Sequence, residues 1–206
     1  MRPVSSGLTE LELRAALRAR LREGLTPGTH IIEELAIERG SSRIDIAVVN
    51  GKLEGYEIKS DFDTLDRLAQ QMHSYHRVFD ELCIVTTKQY VPQVERLLPP
   101  WWGILQATRN EQSDVEFEVV REPSFNPRQE ALSLLSLLWR DEAAALLCLY
   151  GDRTAKSKLN RNKLNEHLAM LASVSTLRDW VSHALRHREQ WPLSERSRSR
   201  PAVSGS

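Results

Sequence analysis

Asp45, Glu57 and Lys59 are the residues whose types and spacing suggest chemistry. Hydrolysis of a phosphodiester calls for a hard divalent cation that polarises the phosphate and acidifies an attacking water. Magnesium takes oxygen ligands, commonly one or two carboxylates, and keeps several waters. An ammonium group near the attacked phosphate orients the water and offsets the negative charge that develops. Two carboxylates and a lysine are therefore a minimal set, provided that the chain brings them together.

The elements around them are arranged to do so. Alternation over residues 43–49 predicts a strand with Ile44, Ile46 and Val48 on one face and Arg43, Asp45 and Ala47 on the other. Asn50-Gly51 predicts a two-residue hairpin turn. Residues 53–60 predict the returning strand, with Glu57 and Lys59 leaving one face because they are two apart. Folding at Asn50-Gly51 sets Asp45 near Glu57 and offers the backbone carbonyl of Ile58 as a further metal ligand. Glu-x-Lys on a strand is most often a solvated face with a weak ion pair. Here the surrounding strands are rich in apolar residues, which makes charges among them less incidental.

The stretch 43–60, with Asp45, the Asn50-Gly51 turn and Tyr56-Glu57-Ile58-Lys59, resembles the core of the PD-(D/E)XK nuclease superfamily. Gln71 and Tyr75 resemble the Gln-x-x-x-Tyr element that RecB-type branches carry on the helix after the Lys strand, and residues four apart share a helix face. The stretch 55–68, followed by Val78-Phe79-Asp80, is similar to a largely uncharacterised bacterial family placed in that superfamily. The resemblance covers roughly residues 8–90. It implies a magnesium- or manganese-dependent deoxyribonuclease in which Asp45 and Glu57 bind metal, Lys59 positions water, and Gln71 and Tyr75 assist at the phosphate. It also implies an acidic residue earlier in the chain, for which Glu12, Glu33 and Glu34 are candidates and Glu34 is preferred. DNA is the expected partner, RNA stays open beside it, and homodimerisation stays open as well.

Those strands need a frame. The spacing of Leu11, Leu13, Leu17 and Leu21 predicts a first helix over residues 10–23, opened by a Thr9/Glu12 capping box. A strand is expected at 30–38. A helix is expected at 64–79, capped by Asp63, with Leu65, Leu68, Met72, Tyr75, His76 and Phe79 as its buried stripe. Residues 82–87 read as a buried strand, 91–98 as a short helix stopped by Pro99-Pro100, and 102–105 and 115–120 as two more strands. Beyond Pro123 and Pro127 the pattern is helical, over 129–139, 141–150 and 160–188. The expected fold class is thus α/β. A restriction-endonuclease-like core, with a mixed sheet of about four or five strands flanked by helices, occupies 1–125. An all-helical subdomain follows at 126–193, with a disordered tail at 194–206.

Bulk properties narrow the setting. The 206 residues carry no net formal charge, with 41% hydrophobic and 27% charged residues, which suits a globular chain and counts mildly against non-specific coating of nucleic acid. Arg153, Lys156, Lys158, Arg161 and Lys163 form a basic run suited to phosphates, or equally to a solvated loop and helix start. Cys83 and Cys148 sit in apolar surroundings and read as buried small side chains in a reducing cytoplasm. Residues 1–7 lack a signal-peptide pattern, and no apolar run is long enough to span a bilayer. Trp101-Trp102 fits a core anchor better than a base-stacking platform. The six histidines show no ligand spacing, and no phosphate-binding glycine loop occurs.

Overall fold

In the computed structural model, which describes residues 7–151 and 159–188, the strands form one six-stranded mixed sheet in the order β1-β2-β3-β4-β5-β6. The strands are β1 (His30–Ile37), β2 (Ser42–Val49), β3 (Leu53–Lys59), β4 (Glu81–Thr87), β5 (Gly103–Arg109) and β6 (Val115–Arg121). β3, β4 and β5 run parallel, and the remaining neighbours are antiparallel. The helices are α1 (Glu10–Glu23), α2 (Leu68–His76), α3 (Val91–Leu97), α4 (Ala131–Leu135), α5 (Arg140–Leu149), α6 (Arg161–Leu171) and α7 (Val174–His187). The sheet is wider than the four or five strands expected.

Helix α1 starts as the sequence predicts. Thr9 Oγ1 accepts from the Glu12 N–H, and Glu12 Oε2 accepts from the Thr9 N–H at 2.9 Å. Leu13 and Leu17 are buried, but Leu11 is 75% exposed, since only the i, i+4 positions share the face turned to the sheet. That face packs with Ile46, Val48, Ile58, Cys83, Val85 and Leu105. The opposite face of the sheet buries the larger core, which holds α2 together with Leu134, Leu138, Leu147, Leu164, Leu168, Leu177 and Val181 of the later helices. The helices beyond residue 125 therefore share one apolar cluster with the sheet. The long expected helix 160–188 is two helices, because the chain is extended at Ala172 and Ser173, and the Ser173 side chain caps α7 through the Thr176 N–H.

Helix α2 differs from its expectation. It begins at Leu68 rather than near residue 64, and Asp63 does not cap it. Asp63 Oδ2 accepts instead from the Ser60 N–H at 2.8 Å and the Ser60 hydroxyl at 2.6 Å, closing the turn that leaves β3. The far end of α2 is tied down from the C-terminal half of the chain. Asn126 is fully buried, and its Nδ2 donates to the carbonyls of His76 and Phe79 at 2.6 and 2.7 Å. Trp102 is fully buried and donates from Nε1 to His76 Nε2 at 2.9 Å. Trp102 is thus a core anchor, which leaves no face for a base. Gly55 lets α2's end approach β3, because a Cβ there would lie 2.8 Å from Leu82 Cδ2 and 3.0 Å from Phe79 Cγ.

The hairpin and its neighbour carry two corrections. Val49 pairs with Leu53, so the turn holds three residues, Asn50-Gly51-Lys52, not two, with Gly51 at φ +106°. The alternation expected over residues 43–49 also breaks. Ala47 and Val49 join the larger core and Ile46 and Val48 the α1 side, yet Ile44 lies with Ala47 and Val49. The pleat therefore reverses at Asp45. It reverses on β1 as well, where Ile32 and Leu35, three apart, pack on the same core. The register that pairs Glu33 with Ile46 and Leu35 with Ile44 sets Glu34 opposite Asp45, and Glu34 has φ +54°. A left-handed conformation at a non-glycine residue costs on the order of 1 kcal/mol. Here it coincides with the reversal that takes Asp45 out of the regular alternation.

Cys83 is buried as expected, whereas Cys148 is only half-buried, and both are free. No helix among the described residues is long and apolar enough to cross a membrane.

Candidate active site

The β2–β3 pairing runs only from Val49↔Leu53 to Ile46↔Tyr56. Past that point the strands part, and the Asp45 side chain bridges the gap, its Oδ2 accepting from the Ile58 N–H at 2.7 Å. In a strand the N–H and C=O of one residue point the same way, so the Ile58 carbonyl also faces this fork. Lys59 faces the other neighbour, where its carbonyl accepts from Thr86 Oγ1 at 2.9 Å.

Glu57 and Lys59 leave the same side of β3, as their spacing predicts, and α2 brings two more groups to them. Lys59 Nζ donates to Glu57 Oε1 at 2.7 Å and lies 3.3 Å from Gln71 Oε1. Gln71 Nε2 donates to the same Glu57 oxygen at 2.8 Å. The Tyr75 hydroxyl lies 2.8 Å from Glu57 Oε2 and 2.6 Å from the Arg43 carbonyl; with one proton, it donates to one of them at a time. Burial, and then the charge of Glu57, push the Tyr75 hydroxyl far above its ordinary range, so it stays protonated and serves as a donor. Glu57 is 2% exposed and Lys59 9%.

The Asp45 side is built differently. Asp45 Oδ1 accepts from Arg14 Nη2 at 2.8 Å, and Arg14 Nη1 donates to the Asp45 carbonyl at 3.1 Å. Arg14 Nη2 also lies 2.6 Å from Glu10 Oε1 and 2.6 Å from Glu34 Oε1. Burial raises the Asp45 carboxyl well above the usual range and Glu57's charge adds to the rise, against the opposing pull of the Ile58 N–H, Arg14 and Lys59. Glu34 also pairs with Arg43 at 3.5 Å.

Of the other expected acids, Glu33 pairs with Arg18 at 3.0 Å. Glu12 is held by its capping box and by Arg109 at 2.7 Å, and the Arg109 and Thr9 hydrogen bonds pull its carboxyl down to about 2. The acid that α1 delivers next to Asp45 is Glu10, and with it comes Arg14. Sequence reasoning missed both. The available signal was the i, i+4 spacing of Glu10 and Arg14 on the first helix. Of the basic run, Arg153, Lys156 and Lys158 lie outside the described residues. Arg161 opens α6 and donates from Nη2 to the Ser136 carbonyl, and Lys163 is exposed on the same helix. Neither is among the residues that contact Asp45, Glu57 or Lys59.

Among the described residues no group of three or more His, Cys, Asp and Glu side chains is arranged as a metal centre. A magnesium ion needs less than that, one or two carboxylates with waters completing its shell. Asp45, Glu57 and the Ile58 carbonyl are hard oxygen donors that fit this demand. A cleft of about 520 Å³ opens beside Gln71, lined by Arg43, Arg67, Gln70, His73 and Ser74 among others.

Three comparisons place the chain among known proteins. It is 31% identical to Protein cII of Enterobacteria phage P4 over 182 residues, covering 88% of this chain and 68% of that protein. Among solved structures it is similar to the SPO1766 protein of unknown function from Silicibacter pomeroyi, at 20% identity and a TM-score of 0.43 over 74% of this chain and 95% of that one. The sequence pattern of the Bacteriophage P4 protein cII family matches residues 4–200. The chain therefore belongs to the bacteriophage P4 protein cII family.

Proposed function

We propose that this chain is a metal-dependent phosphodiester hydrolase acting on DNA, built on a restriction-endonuclease-like core of the PD-(D/E)XK type. The observation that carries the reading is the convergence of Glu57, Lys59 and Gln71 beside Asp45 at the open end of a hairpin. An antiparallel β2–β3 pair followed by parallel β4, with α2 between, supports the same reading of the fold.

Asp45, Glu57 and the Ile58 carbonyl would hold the magnesium or manganese ion, with Glu34 near Asp45 on the neighbouring strand. When bound, such an ion polarises a phosphoryl oxygen and lowers the pKa of a coordinated water. The chain's own residues do the rest. An ammonium group has three donors. Lys59 directs two toward Glu57 and Gln71, leaving a third for the attacking water or a phosphate oxygen. Gln71 fixes both partners at once, accepting from Lys59 and donating to Glu57. Tyr75 holds the second Glu57 oxygen, so the carboxylate keeps one orientation. The two unpaired cysteines accord with a cytoplasmic setting.

One observation favours a second reading, a nuclease-fold module that binds nucleic acid or protein without cutting. Both Glu57 oxygens are already engaged by this chain's side chains, and Arg14 stands on Asp45 Oδ1. Incubating plasmid and single-stranded DNA with magnesium, with manganese or with EDTA separates the two. Metal-dependent cutting that Lys59→Ala abolishes supports the hydrolase. Tight DNA binding without cutting under any metal supports the binding module.

A further inference from the structure

A second cleft, of about 330 Å³, lies on the β1 side of the candidate site between the turn at residues 38–40 and the C-terminal helices. Arg39, Arg43, Arg161 and Arg188 line it, against the single acid Glu34. The four cations are not equally neutralised. Arg188 makes two 2.8 Å contacts to Glu142 and stacks over Trp139 at 4.4 Å, so it is already paired and fixed. Arg43 shares Glu34 with Arg14. Arg39 donates to the Asn162 side-chain carbonyl and Arg161 to the Ser136 carbonyl, both neutral. Neither Arg39 nor Arg161 has a carboxylate within ion-pair distance among the described residues.

Further observations bear on the two arginines that no carboxylate neutralises. Arg161 Nε is buried with no hydrogen-bond partner among the described residues, as are Arg77 Nε and Arg186 Nε, so this chain leaves the Arg161 guanidinium only partly satisfied. Burial, followed by the nearby charges of Arg39 and Arg188, makes Arg161 harder to keep charged than an ordinary arginine. The backbone presents Arg39 at a cost, since the non-glycine residues Glu38 and Arg39 have φ of +49° and +64° in succession. Arg43 lines both this cleft and the one beside Gln71, so the two meet at that residue.

We infer that Arg39 and Arg161, flanked by Arg43, form a phosphate-binding subsite for the sugar-phosphate backbone of the polynucleotide strand that occupies the candidate active site. Guanidinium groups match phosphate oxygens in geometry and carry the charge a phosphodiester demands. The strand would run from the Lys59–Gln71 end, past Arg43, to the groove in front of α6. This inference rests on the polynucleotide substrate proposed above.

The test is equilibrium binding of labelled single-stranded DNA and RNA oligonucleotides to the full chain in EDTA, followed by fluorescence anisotropy across a salt series. Arg39→Gln and Arg161→Gln are compared with Lys52→Gln, which removes one charge at the opposite end of β3. The expected result is binding weakened about five- to tenfold in each arginine variant, with the salt slope reduced by roughly 0.7 for one lost contact to a single strand. Lys52→Gln should stay near wild type. Equal losses on DNA and RNA identify the backbone phosphate as the contact, while a loss on one alone names that strand as the ligand. If Arg161→Gln melts early, the exposed Arg39→Gln decides. Wild-type affinity and slope in Arg39→Gln overturn the subsite and leave the hydrolase reading standing. Arginine-dependent binding by a chain that never cuts DNA removes the hydrolase and keeps the subsite. A wild-type chain that binds neither oligonucleotide overturns both.

Discussion

The two carboxylates at the fork of β2 and β3 are held in opposite ways. Glu57 is sealed: three side chains from its own strand and from α2 hold it, and almost none of it meets solvent. Asp45 is open: its side chain keeps 20% exposure, one backbone N–H anchors one oxygen, and Arg14 from a distant helix meets the other. The sealed side is made of residues from β3 and the helix that follows it, whereas the open side draws Arg14 from α1. The difference teaches that orientation and access are divided between the two. Glu57 is held in one geometry, and a ligand of Asp45 Oδ1 would compete with Arg14 for that oxygen.

Removing a charged group from either side of the fork has the largest expected effect. Under the proposed reading, Lys59→Ala or Asp45→Asn reduces DNA cleavage by at least about 10²-fold, the scale of losing one group that stabilises developing charge; single-turnover cleavage in magnesium measures it. Glu57→Ala leaves the Lys59 ammonium buried and unpaired, and is expected to cost about 3 kcal/mol of stability in denaturant titration. The same substitution at Asp45 should cost less, because solvent reaches it. Equal costs at the two positions would erase the distinction between a sealed and an open side.

The anchoring of α2 gives a pH dependence of intermediate size. Burial lowers His76 to about 4 from its ordinary 6.5. Between these values the unfolded chain takes up a proton that the folded chain refuses. The stabilisation is therefore complete above pH 6.5 and is lost as the pH falls toward 4. About 3 kcal/mol should disappear over that window by thermal or denaturant melts. His76→Gln keeps an acceptor for the Trp102 N–H but cannot titrate, so the part of the slope between pH 6.5 and 5 should vanish. A slope unchanged in that variant assigns the loss to another group.

The smallest effects sharpen the comparison. Tyr75→Phe removes one buried hydrogen bond from the sealed side and should cost about 1 kcal/mol. Arg14→Gln removes the competitor at the open side. The gain in melting temperature on adding manganese should then exceed that of the wild type, corresponding to a few-fold tighter binding. A smaller gain than the wild type's would mean that Arg14 supports the ion's site instead of contesting it.

Local periodicity determined part of this by itself. Residues two apart on a strand share a face, so Glu57 and Lys59 had to emerge together. Residues four apart on a helix share a face, so Gln71 and Tyr75 had to do the same. The Thr9/Glu12 cap and the placement of the six strands were readable for the same reason, since each depends on neighbours within a few residues. Only the tertiary structure decided the rest. The pleat reversal at Asp45 lies opposite a left-handed Glu34 on β1. Arg14 reaches Asp45 over 31 positions of chain. Arg39 and Arg161 come from opposite halves of the molecule. Such contacts arise from how helices settle on the two faces of a sheet, and nothing in the spacing of residues along one segment encodes which distant side chain arrives there.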